Sequence, residues 1–194
     1  MVTVAINGTA RTGTGKKSTK AVRNQGGIPC VIYGGEENVH FSTVHNDVKP
    51  LIFTPDFKVA QVSIDGKEYR CIVKDVQFHP VKENIMHIDF LQLVDGQSVK
   101  LELPVKFEGT SPGVKLGGKL QQTLRRIKVK TTPEKMVDVL SLDISELKLG
   151  DSIRIRDIKE VEGIQIMVDP ATPVAMVEVP RALRSAAAAA AKDE

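Results

Sequence analysis

Short runs of alternating apolar and polar residues make up most of this chain. Alternation with a period of two is typical of β-strands that bury one face and expose the other. In the first half, the runs that fit this pattern span residues 2–6, 28–33, 58–64, 67–78 and 85–93. The pair Asp65-Gly66 between two of these runs predicts a type I′ hairpin turn, because both central residues of that turn need a positive φ. The pattern as a whole predicts a mainly β protein.

Two short helices are predicted to interrupt these strands. The first covers about 18–25, with Ser18 or Thr19 as its N-cap, since either hydroxyl can accept a hydrogen bond from the first turn. The second begins near Asn46. It is predicted to tolerate Pro50 because that proline is expected in its first turn, where no backbone N–H is needed.

Further strands are predicted beyond Asp95-Gly96, which we take as a domain boundary. They span 98–107, 120–130, 137–142, 152–156 and 173–179. We therefore expect two β-rich domains, at 1–93 and 96–180. The last segment, 181–194, contains an alanine run with no apolar face to bury, and it is predicted to be a flexible tail or a frayed helix.

Length and composition exclude several classes of protein. The 194 residues suffice for one large domain or for two domains of about 100 residues each. No run approaches the roughly 18 apolar residues of a membrane span, and no signal-peptide pattern opens the chain, so a cytoplasmic location is expected. Cys30 and Cys71 lie in apolar runs and are predicted to be buried, reduced thiols. Without a CxxC pair or an HExxH motif, neither a metal nor another cofactor is expected.

Positive charge is concentrated in two segments, although the net charge is only +3. Between Arg11 and Arg23 there are five cations and no acidic residue, in a glycine-rich loop that leads into the first predicted helix. Unpaired N–H groups at a helix start, with lysines and arginines beside them, are suited to phosphate binding. A second acid-free basic stretch covers 115–130. With an aromatic content of only 4%, the chain is not expected to stack successive bases of a single strand. Two basic segments and few aromatics favour contact with the backbone and grooves of a folded nucleic acid.

A nucleotide-binding P-loop is an alternative reading of this glycine-rich segment, and the residues exclude it. That motif needs a glycine five residues before the Gly-Lys pair and a serine or threonine after it. Ala10 and Lys17 occupy those two positions.

Polar side chains also recur with a period of two on two predicted neighbouring strands. Gln77 and His79 form one pair and His87 and Asp89 the other, so that each pair is expected on one sheet face. Such groups can read the donors and acceptors of nucleic-acid bases. A catalytic dyad and a purely structural pairing are the alternatives, and no serine or cysteine nucleophile is identifiable beside them.

Three motifs in sequence order resemble a known family. They are RTGTGKKSTKAVR, IPCVIYGG and VKDVQFHPVKENIMHIDF. Together they resemble the bacterial ribosomal proteins that bind 5S ribosomal RNA, the twenty-fifth protein of the large subunit. In the second half, GVKLGGKL and LSLDISELKLGDSIRIRDI resemble the C-terminal domain of the long, two-domain members, called the Ctc or general stress type. The resemblance covers residues 1–180.

The resemblance implies a fold and a set of RNA contacts. The fold is an N-terminal β-barrel, at 1–93. One face of this barrel lies on a non-canonical internal-loop helix of 5S rRNA, which is accessible from the minor groove. The implied contacts from the loop and the first helix are Arg11, Lys16, Thr19, Lys20 and Arg23. Those from the sheet are Tyr33, Gln77, His87 and Asp89. The chain has Thr19 where serine is usual and Lys20 where arginine is usual. Threonine keeps the hydroxyl, whereas lysine keeps the charge but loses the planar fork.

The function that the resemblance implies is structural and not enzymatic. The expected partners are 5S rRNA and the large ribosomal subunit, with neighbouring ribosomal proteins or other rRNA as candidates for the C-terminal domain, and no membrane or small-molecule substrate. Two alternatives remain. One is a stress-linked, ribosome-associated factor whose C-terminal domain mainly contacts protein. The other is a hydrolase that uses Gln77, His79, His87 and Asp89.

Overall fold

The structure, a computed structural model, describes residues 1–158 and 161–180. Strands dominate it, which confirms the predicted mainly β class. The chain divides into two compact units. The first comprises Met1–Leu101 and Thr131–Asp138, and the second comprises Glu102–Lys130 and the chain from Val139 onward. The predicted domain ranges stay predictions, and the predicted tail at 181–194 lies outside the described residues.

Six strands of the first unit close into a barrel, which confirms the barrel that the resemblance implies. They are β1 (Val2–Ala10), β2 (Gly27–Tyr33), β3 (Val39–Val44), β4 (Lys58–Ile64), β5 (Lys67–Phe78) and β6 (Ile85–Gln92). Around the barrel their order is β1-β3-β2-β6-β5-β4, and a parallel pairing of β1 with β4 closes it. The alternation of apolar and polar residues identified every strand of the barrel except β3.

The barrel interior is filled by the inward residues of all six strands. The rings of Phe41 and Phe90 pack at a centroid distance of 5.7 Å, and both side chains are fully buried. Around them lie aliphatic residues such as Ile6, Ile32 and Ile88. Burying one such side chain contributes about 1.5–3 kcal/mol to stability, so the barrel wall is a firm support for the groups on its outer face.

Tight turns connect the strands where the sequence predicts them. Between β4 and β5, Asp65 has φ 50° and Gly66 has φ 83°, so both central residues adopt the positive φ that a type I′ turn requires. This prediction is confirmed.

The first helix, α1 (Lys16–Asn24), does not begin as predicted. Its N-cap is Gly15, which offers no side-chain cap. Ser18 and Thr19 lie within the first turn, and their hydroxyls donate to carbonyls of the preceding loop. The predicted N-cap is therefore wrong, because these hydroxyls bond to the loop and do not cap the helix.

The second helix, α2 (His45–Ile52), includes Pro50 in its interior and not in its first turn, so that prediction is also wrong. A proline in this position removes one backbone hydrogen bond. Val48 and Leu51 are buried in the barrel core, and their burial outweighs the cost of the lost bond.

The second unit is also rich in strands. They are β7 (Val99–Glu108), β8 (Lys119–Gln122), β9 (Arg126–Thr131), β10 (Leu140–Asp143), β11 (Ser152–Arg154), β12 (Ile164–Ile166) and β13 (Pro173–Glu178), of which β7 and β9 begin or end in the first unit. One sheet has the order β10-β7-β9-β12 and the other β11-β13-β8. A short helix, α3 (Pro112–Lys115), and 3₁₀ turns at Pro133–Lys135 and Ile155–Asp157 complete the elements. The long strand predicted at 120–130 is two strands, β8 and β9, in different sheets.

Both cysteines are free and buried in the barrel, as predicted. Burial raises the pKa of Cys71 to about 12. Burial also raises the pKa of Cys30, although the nearby positive charge of Arg11 lowers it in part. The native thiols therefore stay protonated at a pH where thiols of an unfolded chain ionise.

This difference predicts a loss of stability at alkaline pH. Below about pH 8.5 the thiols are protonated in both states, and above it only the unfolded chain releases their protons. The free energy of unfolding should then fall by up to about 1.4 kcal/mol per pH unit for each thiol. Denaturant unfolding from pH 8 to 10 should show a steeper fall for the wild type than for the double variant Cys30→Ala, Cys71→Ala. Parallel pH profiles would show that the thiols are not shielded in the native barrel.

Candidate nucleic-acid interface

The basic segment starts at one end of the barrel wall. The backbone N–H of Arg11 donates to the carbonyl of His40 in β3 at 2.9 Å, so the chain leaves the barrel at a fixed point. Residues 12–15 form the glycine-rich loop, and α1 follows. Ammonium groups of Lys16 and Lys20 are exposed, and in the part of the chain that the structure describes they form no hydrogen bond or ion pair. These two charges are free to meet an anion.

Arg23 links α1 to the barrel. Its Nε donates to the carbonyl of Met86 in β6 at 3.0 Å. This bond fixes the helix beside the strand that carries His87 and Asp89. The two amino groups of the Arg23 guanidinium form no hydrogen bond within the described residues.

Three adjacent strands, β2, β6 and β5, carry the polar residues predicted for the sheet. Gln77 lies opposite His87 in the register of β5 and β6, and Asp89 lies opposite Val31 of β2. Alternation along β6 buries Ile88 and leaves its neighbours His87 and Asp89 on the outer face. The prediction that this pair shares one sheet face is confirmed.

His79 is not part of this face. β5 ends at Phe78, and His79 belongs to the loop that leads to β6. Its Nδ1 accepts hydrogen bonds from the backbone N–H groups of Val81 and Lys82, at 3.2 and 3.1 Å. The predicted pairing of His79 with Gln77 is therefore wrong, because the strand stops first and His79 shapes the loop.

His87 and Asp89 form a hydrogen-bonded pair on the outer face. His87 Nδ1 lies 2.7 Å from Asp89 Oδ1, and both side chains are partly exposed, at 26% and 31%. When Nδ1 donates to the carboxylate and Nε2 carries no proton, Nε2 is an acceptor on the opposite side of the ring. The pair thus offers outward-facing acceptors in a fixed orientation.

Asp75 is a further residue of this face that the sequence analysis missed. It lies directly opposite Asp89 in the register of β5 and β6. Burial raises the pKa of Tyr33, and the charges of Asp89 and Asp75 add to the effect, so both carboxylates lie near the phenol. The period-two step from Asp75 to Gln77 in the sequence was the signal that could have found it.

The outer face therefore has two parts with different chemistry. We call the exposed side chains of β2, β5 and β6 that include Tyr33, Gln77, His87 and Asp89 the sheet face. Two carboxylates, Asp75 and Asp89, lie on it next to each other, whereas α1 supplies cations beside it. No group of three or more potential metal-ligating side chains occurs among the described residues. Over the same residues, no helix is both long and apolar enough to cross a membrane.

Two family models match separate parts of this chain. Residues 6–90 match the model of the Ribosomal L25p family, and residues 98–181 match that of the Ribosomal protein TL5, C-terminal domain. The large ribosomal subunit protein bL25 of Cytophaga hutchinsonii is 43% identical over 192 residues, which cover 99% of this chain and 100% of the relative. That of Bacteroides fragilis is 40% identical over 197 residues, with the same coverage. That of Amoebophilus asiaticus is 41% identical over 190 residues, 98% of this chain and 96% of the relative.

These matches define a non-enzymatic constituent of the large ribosomal subunit, part of a ribonucleoprotein in the bacterial cytoplasm. The chain belongs to the bL25 family, and to its long, two-domain type. The expectation of a structural, ribosomal role is thereby confirmed, and the hydrolase alternative is rejected.

The arrangement of carboxylates around Tyr33 can be tested by titrating its phenol. The chain has two tyrosines, so Tyr69→Phe leaves Tyr33 as the phenol that absorbance at alkaline pH reports. In that background Asp89→Asn should lower the pKa of Tyr33, because it removes a nearby negative charge. Asp65→Asn, in the β4–β5 turn, is the matched control and should leave the titration unchanged. An equal titration in the two variants would mean that Asp89 does not face the phenol.

Proposed function

We propose that this chain binds 5S rRNA in the large ribosomal subunit, through the glycine-rich loop, α1 and the sheet face. The observation that carries the proposal is the attachment of α1 to β6 by the Arg23–Met86 hydrogen bond. It puts free cations beside the strands that carry Asp75, Gln77, His87 and Asp89. An RNA helix offers the complementary groups side by side. Its phosphates can bind the cations, and the base edges in its groove can bind the polar side chains of the sheet face.

The sheet face suits the minor groove of an RNA helix. This groove is wide and shallow, and it displays 2′-hydroxyls and base edges. Asp89 can accept from an exocyclic amine, the free Nε2 of His87 can accept from a hydroxyl or an amine, and Gln77 can both donate and accept. Tyr33 adds a hydroxyl that stays protonated, since its pKa is raised. We assign base and sugar recognition to these four side chains.

The loop and α1 would contact the phosphates beside the groove. Lys16 and Lys20 have free ammonium groups, and Arg23 has free amino groups beyond its bond to Met86. Arg11 and Thr19 belong to the same segment. Phosphate contacts of this kind set the position of a protein on RNA, and base contacts supply its specificity. Lys20 acts as a point charge and cannot form the bidentate contact of an arginine.

One observation in the second unit favours contact with protein there, as in the stress-linked alternative. The basic stretch 115–130 is partly neutralised by acids on neighbouring strands. Lys128 lies 3.9 Å from Glu102, and Lys119 lies opposite Glu178 in the register of β8 and β13. A mixed-charge sheet is a weaker site for RNA than the free cations of α1. The second candidate function is therefore a ribosome-associated factor whose C-terminal domain mainly contacts protein.

The phosphate contacts can be tested by the salt dependence of binding to 5S rRNA. A variant that loses one phosphate contact releases about one counterion fewer, so the slope of log K against log salt should flatten by roughly 0.7–0.9. We expect this for Lys20→Gln. Lys49→Gln is the matched control, because Lys49 is an exposed lysine on the other helix of the same barrel. Arg23→Ala is a less selective test, since it also frees the carbonyl of Met86.

Two results would contradict the proposal. Equal slopes for Lys20→Gln and Lys49→Gln would remove α1 from the interface. Weak binding of the wild type, equal for 5S rRNA and an unrelated hairpin, would reject 5S rRNA as the partner.

A further inference from the structure

Three of the four histidines have a contact within the protein, and the fourth, His40, has none for its ring. His79 accepts from two N–H groups of its own loop, His87 pairs with a carboxylate, and His45 packs against a phenylalanine ring. Among the residues that the structure describes, the His40 imidazole has no hydrogen-bond or ion-pair partner. The side chain is half-buried, and its ring nitrogens reach solvent. These two nitrogens are available to a ligand.

His40 lies on the outer face of β3. Its neighbour Phe41 is fully buried in the barrel core, and alternation along the strand places His40 on the opposite side. In the register of the barrel, His40 lies opposite Val31 of β2, and Val31 lies opposite Asp89 of β6. Asp89 in turn lies opposite Asp75 of β5. One row of residues across four adjacent strands therefore extends the sheet face as far as His40.

The same row continues from His40 to the start of the basic segment. The backbone N–H of Arg11 donates to the carbonyl of His40, and Arg11 directly precedes the glycine-rich loop. Neighbouring strands lie about 4.8 Å apart, so the backbones of Asp89 and His40 are separated by roughly 10 Å. His40 therefore lies between the carboxylates of the sheet face and the loop that leads to the cations of α1.

The chemistry of an imidazole fits one group of an RNA helix in this position. A neutral imidazole has one nitrogen that donates a hydrogen bond and one that accepts. A phosphate oxygen only accepts, whereas the 2′-hydroxyl of a ribose donates and accepts, and the minor groove displays these hydroxyls. In each nucleotide the ribose joins the base to the phosphate. Its hydroxyl thus lies between the groups that the sheet face and α1 would bind.

We propose that His40 binds a ribose 2′-hydroxyl of the RNA, and that it joins the sheet face and the glycine-rich loop into one continuous interface. This inference rests on the proposed function. It adds β3 to the strands that contact RNA. It also gives the protein a group that distinguishes RNA from DNA at this site, since DNA has no 2′-hydroxyl.

The contact can be tested with 5S rRNA that carries single 2′-deoxy nucleotides along its internal-loop helix. In the wild type, the substitution at the His40 contact should weaken binding about three- to tenfold, as expected for the loss of one hydrogen bond. His40→Ala should weaken binding to unmodified RNA by a similar factor. In this variant the same 2′-deoxy substitution should have no further effect, because the contact is already lost.

His45→Ala is the matched control, because His45 is another half-buried histidine of the same barrel and lies outside the row. It should retain every 2′-deoxy effect of the wild type. Thermal unfolding of His40→Ala should stay close to that of the wild type, since the ring bonds to no described residue.

The ring ¹⁵N resonances of the wild type provide a test that needs no substitution. Those of His40 should shift when 5S rRNA is added, whereas those of His45 should not. Unchanged His40 resonances in the bound state would overturn the proposal.

Two results of the binding experiment would also overturn it, provided that the wild type binds 5S rRNA. If every 2′-deoxy substitution weakens binding equally in His40→Ala and the wild type, the imidazole contacts no ribose. If the salt slope of His40→Ala flattens by roughly 0.7–0.9, as expected for Lys20→Gln, the partner of His40 is a phosphate. Failure of the wild type to bind 5S rRNA would reject the proposed function and the His40 contact with it.

Discussion

The closure of the barrel between β1 and β4 is the constraint on which the functional surface depends. The two strands pair in parallel along seven residue pairs that end with Gly8 opposite Ile64. A glycine is needed there, because a Cβ on Gly8 would lie 2.5 Å from Cδ2 of the buried Phe41. Beyond this point β1 pairs with β3, and the chain leaves the barrel at Arg11. Closure thus fixes the start of the basic segment relative to the strands that carry the sheet face.

A single alternation of residues then specifies both the core and the surface. Along β6, Ile88 and Phe90 fill the barrel, while His87 and Asp89 occupy the opposite face of the same strand. A shift by one residue would exchange the two sets, so the packing that stabilises the barrel also holds the polar groups in register. The bond from Arg23 to Met86 joins α1 to this same strand.

Local patterns predicted the strands and the Asp65-Gly66 turn well, because both follow from local sequence. What they missed depends on residues distant in the sequence. The strand β3 is formed by pairing with β1 and β2 on its two sides. The break at 123–125 occurs because Thr123 and Leu124 both donate to the carbonyl of Val174, where the chain passes from one sheet to the other. For the site, the residues were named from the family resemblance, but the engagement of Thr19 and Arg11 with the loop appears only in three dimensions.

The central claim is that one continuous surface of the first unit meets 5S rRNA. Its most direct test is to map amide chemical-shift changes of the ¹⁵N-labelled chain on addition of 5S rRNA. The account predicts that the changes concentrate in residues 11–23 and on the sheet face of β2, β5 and β6. Changes confined to the second unit, or to the outer faces of β1 and β4, would contradict it.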